Sequence, residues 1–491
     1  MRGSIQPPRA RAAVVFVAFG LTLFFPGIAA AQGTAPRDTA AAAQADTAFW
    51  RPQPRPATGE RWNLAKCIST ALESNVDART ARAQTEQARG SALGAWSGIL
   101  PSISGNLAAT GVIPDKQSSF RGLTINPSAF GDSIPRQTYA TRNEYLSAGA
   151  SLDMNIISLP AWKEKNRQDH LKRSFEEGEA EARNDVVFRV RAQYYTLLKA
   201  ERLADVSRES ERLARDQETR AEALLQVGTV ARGDVLKARA RRATTQLDRI
   251  RTENQVEIQR NRLRQILGLK PEVSLDIEIE GLLVERVEVP DSAAAIQRAL
   301  KGRPELSRVF AVEHAARAGL TGTKAQRLPL VTGALSVDRT KIDEQVEYVS
   351  TSYDTTTTRY TTHWQGQVRL SVPLFDGLAI SGNTKQAQGA VLEAEAARRQ
   401  RELDVVVEVQ QAWLILRESQ DRIGVAREGL VSAEEDYKFS KGRYDLGAGT
   451  YLDLLQAEVS LSDARRSFVE ALADAHVAEA ALERAIGERR Y

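Results

Sequence analysis

One feature constrains this chain more than any other: it is written twice. Ala71-Leu72 recurs as Ala299-Leu300, Ala88-Arg89 as Ala316-Arg317, and Leu100-Pro101 as Leu328-Pro329. Gly105 and Leu107 recur as Gly333 and Leu335, so that all of these pairs share a spacing of 228 residues. Further on, Gly228, Asp234, Leu236, Ala238 and Gly268 recur as Gly447, Asp453, Leu455, Ala457 and Gly487, all at a spacing of 219. Single matches arise by chance; a fixed offset over five positions, twice, does not. The chain is two copies of one unit, and the second has lost about nine residues between its strands, in a loop. The unit is far longer than the roughly 20–50 residues of a solenoid repeat.

Each copy carries two strand signals. In 146–156, Leu146, Ala148, Ala150, Leu152, Met154 and Ile156 alternate with polar or small residues, and in 364–374 Trp364, Gly366, Val368, Leu370, Val372 and Leu374 do the same. The partner strands are weaker: Ile103, Gly105, Leu107 and Ala109, then Val331, Gly333, Leu335 and Val337. A period of two over about 11 residues fits a tilted membrane strand with one face to lipid and one to a lumen. The intervening polar stretches, 112–143 and 339–362, read as exposed loops.

The remainder reads as helix. From about 161 to 222, and again from about 379 to 440, the chain is charged, alanine-rich and free of proline. A helix of ~60 residues is about 90 Å long at 1.5 Å per residue, more than one globular core needs. Shorter helices follow at about 234–267 and 453–486. The last carries a stripe of Leu461, Ala464, Phe468, Ala471, Ala475, Ala478, Leu482 and Ala485, spaced three then four, as in a left-handed coiled coil.

Four strands cannot close a barrel, since the smallest in outer membranes use about eight. Open edges in lipid leave backbone groups unsatisfied at several kcal/mol each. Other copies of the chain must complete the ring, and cyclic symmetry is the natural closure. Two chains give a lumen that side chains largely fill, whereas three, with twelve strands, leave an aqueous one. The fold class expected is mainly α with a membrane β-barrel portion, closing as a trimer with a periplasmic helical tunnel.

Arg2, Arg9 and Arg11, the apolar run Ala12–Gly27 and Ala29-Ala30-Ala31 make residues 1–31 a secretory signal peptide. Residues 32–61, rich in Ala, Thr, Pro and Gln, read as a disordered linker. The repeats then span 62–275 and 291–488, joined by a connector at 276–290 and followed by a tail at 489–491. No later run reaches the ~18 apolar residues of a spanning helix. Cys67 is the only cysteine, so there is no disulfide framework. The net charge of +4, with acids and bases interleaved, gives no nucleic-acid footprint.

The turns between long and short helices are the most specific local signal. They read Val227-Gly228-Thr229-Val230-Ala231-Arg232-Gly233-Asp234-Val235-Leu236 and Leu446-Gly447-Ala448-Gly449-Thr450-Tyr451-Leu452-Asp453-Leu454-Leu455. Gly228 and Gly447 suit a left-handed helix C-terminus, while Asp234 and Asp453 are placed to cap the following helix. With the signal peptide, the duplication and the strands, this pattern resembles the TolC-like outer-membrane factors over about 62–488. The resemblance implies an outer-membrane export channel, a homotrimer set in outer-membrane lipid and coupled by a periplasmic adaptor to an inner-membrane pump. It implies that Val227, Gly228, Asp234, Leu236, Leu446, Gly447, Asp453 and Leu455 form adaptor-contacting tips. It also implies a pore constriction at Tyr444, Asp453 and Gln456. Gly449 and Gln456 depart from the family pattern, which has a basic residue at the first and an aspartate at the second.

Catalysis finds no support. His170, His314, His363 and His476 have no ligand spacing, and there is no phosphate loop or nucleophile elbow. Glu176-Glu177 and Glu434-Glu435 are helix neighbours that point to different faces. No cofactor or metal is expected. The alternative is a periplasmic coiled-coil adaptor or scaffold, which would lack the duplicated strand hairpins.

Overall fold

The computed structural model describes residues 61–112, 117–118, 138–269, 278–281, 283–285, 288–348 and 353–487. The expected signal peptide, the tail and all but the last residue of the expected linker lie outside the described residues, as does most of the 112–143 stretch.

Each repeat opens with two short helices meeting at a corner. These are α1 (Leu64–Ser74) and α2 (Val76–Gly94) in the first repeat, and α5 (Ser292–Gly302) and α6 (Pro304–Ala325) in the second. The 228-residue shift carries α1 onto α5 end to end and the start of α2 onto the start of α6. Local chemistry sets the starts. The side chains of Asn63, Asn75 and Asp291 accept from the amides of Lys66, Asp77 and Ala294 at 2.8, 2.8 and 2.9 Å. Each satisfies a donor that a helix start leaves orphaned.

Four long strands follow the opening helices: β1 (Ser102–Val112) and β2 (Thr138–Ile157) in the first repeat, β3 (Leu330–Tyr348) and β4 (Tyr353–Ser371) in the second. They form one antiparallel sheet in the order β1-β2-β3-β4, with Gln117–Ser118 added against β2. The register keeps the two faces apart. Ile103 lies opposite Leu152, which lies opposite Leu335; Ser104 lies opposite Ser151, which lies opposite Ser336. Because side chains alternate along a strand, one face carries Ile103, Leu107, Leu152, Leu335, Val368 and Leu370, and the other Ser, Thr, Asn and Gln. The apolar face is not covered: Ile103, Leu107, Trp364 and Val368 are all exposed. β1 and β4 are edges, and among the described residues neither pairs on its outer side.

The second strand pair is longer than expected. The 339–362 stretch, read from sequence as a loop, is mostly strand, because β3 runs to Tyr348 and β4 starts at Tyr353. Its threonines are β-branched and favour extended backbone. β4 also stops at Ser371, two residues before Pro373, which has no N–H to give a ladder.

The long helices are α3 (Leu159–Gln226, 68 residues) and α7 (Ala379–Asp445, 67 residues), each about 100 Å at 1.5 Å per residue. Their partners α4 (Arg232–Leu267) and α8 (Tyr451–Ile486) superpose in sequence end to end under the 219-residue shift. No described helix is long and apolar enough to cross a membrane. Each repeat has its own core. In the first, Val186, Val190 and Leu197 of α3 pack with Leu263 and Leu267 of α4 and with Cys67 and Ala71 of α1. In the second, the α8 stripe (Ala471, Ala475, Ala478, Leu482, Ala485) packs with Val405, Val409 and Leu416 of α7 and Ala295 and Ala299 of α5. The small alanines let these backbones approach closely. The connector touches both repeats: the Tyr194 hydroxyl of α3 donates to the Glu280 carbonyl, the Val284 amide donates to His476 Nε2 at 3.0 Å, and Trp413 Nε1 donates to the Pro290 carbonyl at 2.8 Å.

Candidate functional site

The candidate site is built where the long helices turn back. α3 ends in a left-handed Gly228 (φ 79°) and α7 in Gly447 (φ 74°). At the first turn, the Gly228 amide donates to the Leu225 carbonyl and the Thr229 amide to the Leu224 carbonyl, both at 3.0 Å. At the second, Gly447 donates to Tyr444 at 3.0 Å and Ala448 to Arg443 at 2.8 Å. Both are Schellman closures, which only a residue tolerant of positive φ completes without strain.

The following helices start differently. At α8, Thr450 is the N-cap: its hydroxyl accepts from the Asp453 amide, and the Asp453 carboxylate accepts from the Thr450 amide, both at 3.2 Å. This reciprocal capping box uses Asp453 three residues inside the helix. Hydrogen bonding of its carboxylate by the Thr450 side chain and backbone amide holds the Asp453 carboxyl below its ordinary range, and nearby Arg443 adds to the effect. At α4 the N-cap is Ala231, which has no side-chain acceptor. Asp234 therefore does not cap as expected; its carboxylate instead meets Lys237 Nζ at 3.3 Å, and its negative charge sits in the first turn.

Behind the turns the two hairpins are joined. Ala221, Val235, Ala238 and Tyr451 form a small buried cluster, with Tyr444 and Leu455 packed against it. The rings of Tyr444 and Tyr451 meet edge-to-face, with centroids 6.0 Å apart. Burial pushes both phenols up, Tyr451 to about 12. The Tyr444 hydroxyl is buried without a hydrogen-bond partner. Near the turns, ion pairs cross between the hairpins from Arg220 of α3 to Asp445 of α7 at 2.7 Å and from Arg241 of α4 to Glu458 of α8 at 3.4 Å. Desolvation raises the buried Glu458 carboxyl, against the pull of Arg241.

The sequence-predicted residues thus divide into two groups. Tyr444 and Leu455 are drawn into the joint between hairpins. Val227, Leu236, Leu446, Asp453 and Gln456 face solvent at the tips, and Leu452 joins them there. Arg220, Asp445, Arg241, Glu458 and Tyr451 were not legible as site residues: their partners lie in the other repeat, and no local spacing links them. A Cβ at Gly449 would sit 3.1 Å from Arg443 Cβ and 3.2 Å from the Tyr444 amide nitrogen, so any side chain here would crowd the end of α7.

The family model for outer membrane efflux proteins matches residues 295–488, the second repeat. The Vibrio cholerae outer membrane protein TolC is 24% identical over 429 residues, covering 87% of this chain and 90% of that protein. Residues 295–488 thus carry an outer membrane efflux protein domain, and the chain as a whole is similar to TolC over most of its length. It also shares its fold with the CusC channel (TM-score 0.68, 17% identity, 86% of this chain and 92% of that one). The Campylobacter jejuni CmeC outer membrane channel is similarly close (TM-score 0.67, 17% identity, 86% and 85%). The resemblance and the mainly helical fold with four antiparallel strands expected from sequence therefore stand. The chain is an outer-membrane protein, with its long helices on the periplasmic side.

Proposed function

We propose that this TolC-like chain assembles as a homotrimer into a passive export duct. A periplasmic adaptor docks on its hairpin tips and couples it to an inner-membrane pump. The observation that carries the reading is the four-stranded sheet, with two edges unpaired among the described residues and one uncovered apolar face, attached to helices of about 100 Å. Such a sheet is stable in lipid only when its edges are closed. Three copies close it around a lumen lined by the Ser, Thr, Asn and Gln face. The energy comes from the pump, so the duct itself performs no reaction and needs no cofactor. The exposed Val227, Leu236, Leu446 and Leu452 give the adaptor an apolar foothold on polar helices.

Threefold symmetry gathers the exposed Asp453 and Gln456 of each α8 at the mouth, with Tyr444 behind them. A ring of carboxylates concentrates cations at a constriction. In detergent, native mass spectrometry is expected to give three chains; a monomer or dimer would refute the closed duct. In planar bilayers, Asp453→Ala is expected to lower cation preference and cation block, and unchanged conductance and block would remove Asp453 from the constriction.

A further inference from the structure

On the polar face of the sheet, two oxygens converge over a glycine. Asn106 of β1, Gly149 of β2, Asp338 of β3 and His363 of β4 lie side by side in register. The backbone of Gly149 is not in the left-handed region, so its conformation does not call for glycine. Space does: a Cβ there would overlap Asp338 Oδ1 and stand 2.7 Å from Asn106 Oδ1. Asn106 reaches this spot from one neighbouring strand and Asp338 from the other. The two side chains occupy the room that a side chain on β2 would take.

Such a meeting is electrostatically incomplete. A carboxylate oxygen and an amide oxygen are both acceptors, so neither can satisfy the other. Among the described residues, no hydrogen bond or ion pair reaches the Asp338 carboxylate. The rows on either side of this one, from Ala108 to Thr361 and from Ser104 to Gln365, hold hydroxyl, amide and alanine side chains and no charge. The nearest other charges on this face are Asp153 and Arg359, each two rows away, or about 13 Å along a strand. Asp338 therefore has a full negative charge, an amide oxygen beside it and no cation of the chain to answer it.

We propose that Asp338 and Asn106 hold a divalent cation of the calcium class over Gly149, one in each chain, which ties β1 to β3 across β2. The donors select the ion. A carboxylate, an amide carbonyl and nearby hydroxyls are hard oxygen ligands, which suit Ca2+ at about 2.3–2.6 Å and not a soft metal. Among the described residues no three His, Cys, Asp or Glu gather as a metal cage, so the ion keeps several waters. Binding is accordingly weak, with a Kd on the order of 1 mM. His363 stands beside Asp338 in register and matters only to a metal that seeks imidazole. The inference goes beyond the export reading. The site is complete within one chain, on the face that lines the duct, at the opposite end of the long helices from Asp453.

The test uses the full chain in detergent, stripped with chelator, and Tb3+ as a luminescent stand-in for Ca2+. Tyr145, on the same face of β2 as Gly149, is placed to sensitise it. The native chain is expected to give a Tb3+ signal that Ca2+ displaces at a concentration on the order of 1 mM. Asp338→Asn is expected to weaken binding by about tenfold or more, because it removes the only charged ligand. Asn106→Ala removes the second oxygen and Gly149→Ala fills the room, and both are expected to weaken binding as well. Asp153→Asn and His363→Ala are expected to bind as the native chain does. An equal signal in the native chain and Asp338→Asn would overturn the site. So would a signal that neither Asn106→Ala nor Gly149→Ala changes. No displacement by Ca2+ would mean that the two side chains simply hydrogen-bond to each other. Preference for Zn2+, lost in His363→Ala, would overturn the class of ion. A monomeric native mass would refute the duct and leave the Tb3+ signal in place, whereas a trimer without the signal would refute the site alone.

Discussion

Gly228 and Gly447 close the two hairpin tips with matching left-handed turns, yet the helices that leave those turns begin differently. α8 starts on a reciprocal box between Thr450 and Asp453, whereas α4 starts on Ala231, with no side-chain acceptor. The two tips thus share a backbone and differ in chemistry. Duplication copied the geometry, which glycine fixes, and the two copies now differ in how they satisfy the amides after the turn. The firmly capped tip is the one that carries Asp453, the residue expected at the mouth. The uncapped tip presents Val227, at the end of α3, and Leu236, on the uncapped start of α4, to solvent.

The largest effect should fall on what the tips share. A side chain in the left-handed region costs about 1–2 kcal/mol, so Gly228→Val and Gly447→Val are each expected to loosen their own turn by that amount and equally. Hydrogen exchange at the Thr229 and Ala448 amides reads this directly. A response at only one tip would show that the turns are not equivalent.

A smaller effect should separate the tips. Thr450→Ala removes an N-cap and is expected to cost the second tip about 1 kcal/mol. Ala231→Thr, with Asp234 already three residues on, is expected to complete a box and stabilise the first tip by about 0.5–1 kcal/mol. The sign with pH also follows. Hydrogen bonding depresses Asp453 in the folded chain, so its half of the box is fully formed at neutral pH and is lost as the pH falls through that lowered value. Protection of the first turn of α8 should fall on acidification in the native chain and respond much less in Thr450→Ala. Equal loss in both would take the box out of the account.

This division also shows what the amino-acid order could disclose. The shift of 228 fixed where α5 and α6 begin, and that of 219 fixed α8 from α4, because helix starts and glycine stops are written locally. The apolar alternation gave the strand faces, although the Thr355–Thr358 run was mistaken for a loop, since threonine is polar by composition and extended by its branched Cβ. The site was half legible. Its glycines, its aspartates and the exposed leucines stand in a local motif. Asp234 was expected to cap because it sits at the helix start; that it lies three residues inside, beyond an alanine cap, depends on where the turn closes. The hairpin-joining pairs could not be read, because Arg220 with Asp445 and Arg241 with Glu458 meet only once the two repeats are docked.

The smallest effect concerns the tie between the tips, made by a pair that the repeat does not copy. Arg220 and Asp445 are partly exposed, with side chains 41% and 32% accessible. A pair of this kind contributes a few tenths of a kcal/mol, up to about 1, and is screened once the Debye length falls from about 10 Å at 0.1 M salt to about 3 Å at 1 M. Its repeat-shifted counterpart does not exist: position 220 maps to Phe439 and position 445 to Gln226, so no charges meet there. Salt should therefore loosen the two tips of one chain against each other. Hydrogen exchange across Ala221–Leu224 and Phe439–Tyr444 is expected to quicken slightly between 0.1 and 1 M salt in the native chain and to be salt-independent in Arg220→Gln, with the native mass unchanged in both. Equal quickening in Arg220→Gln would take this pair out of the joint between the tips.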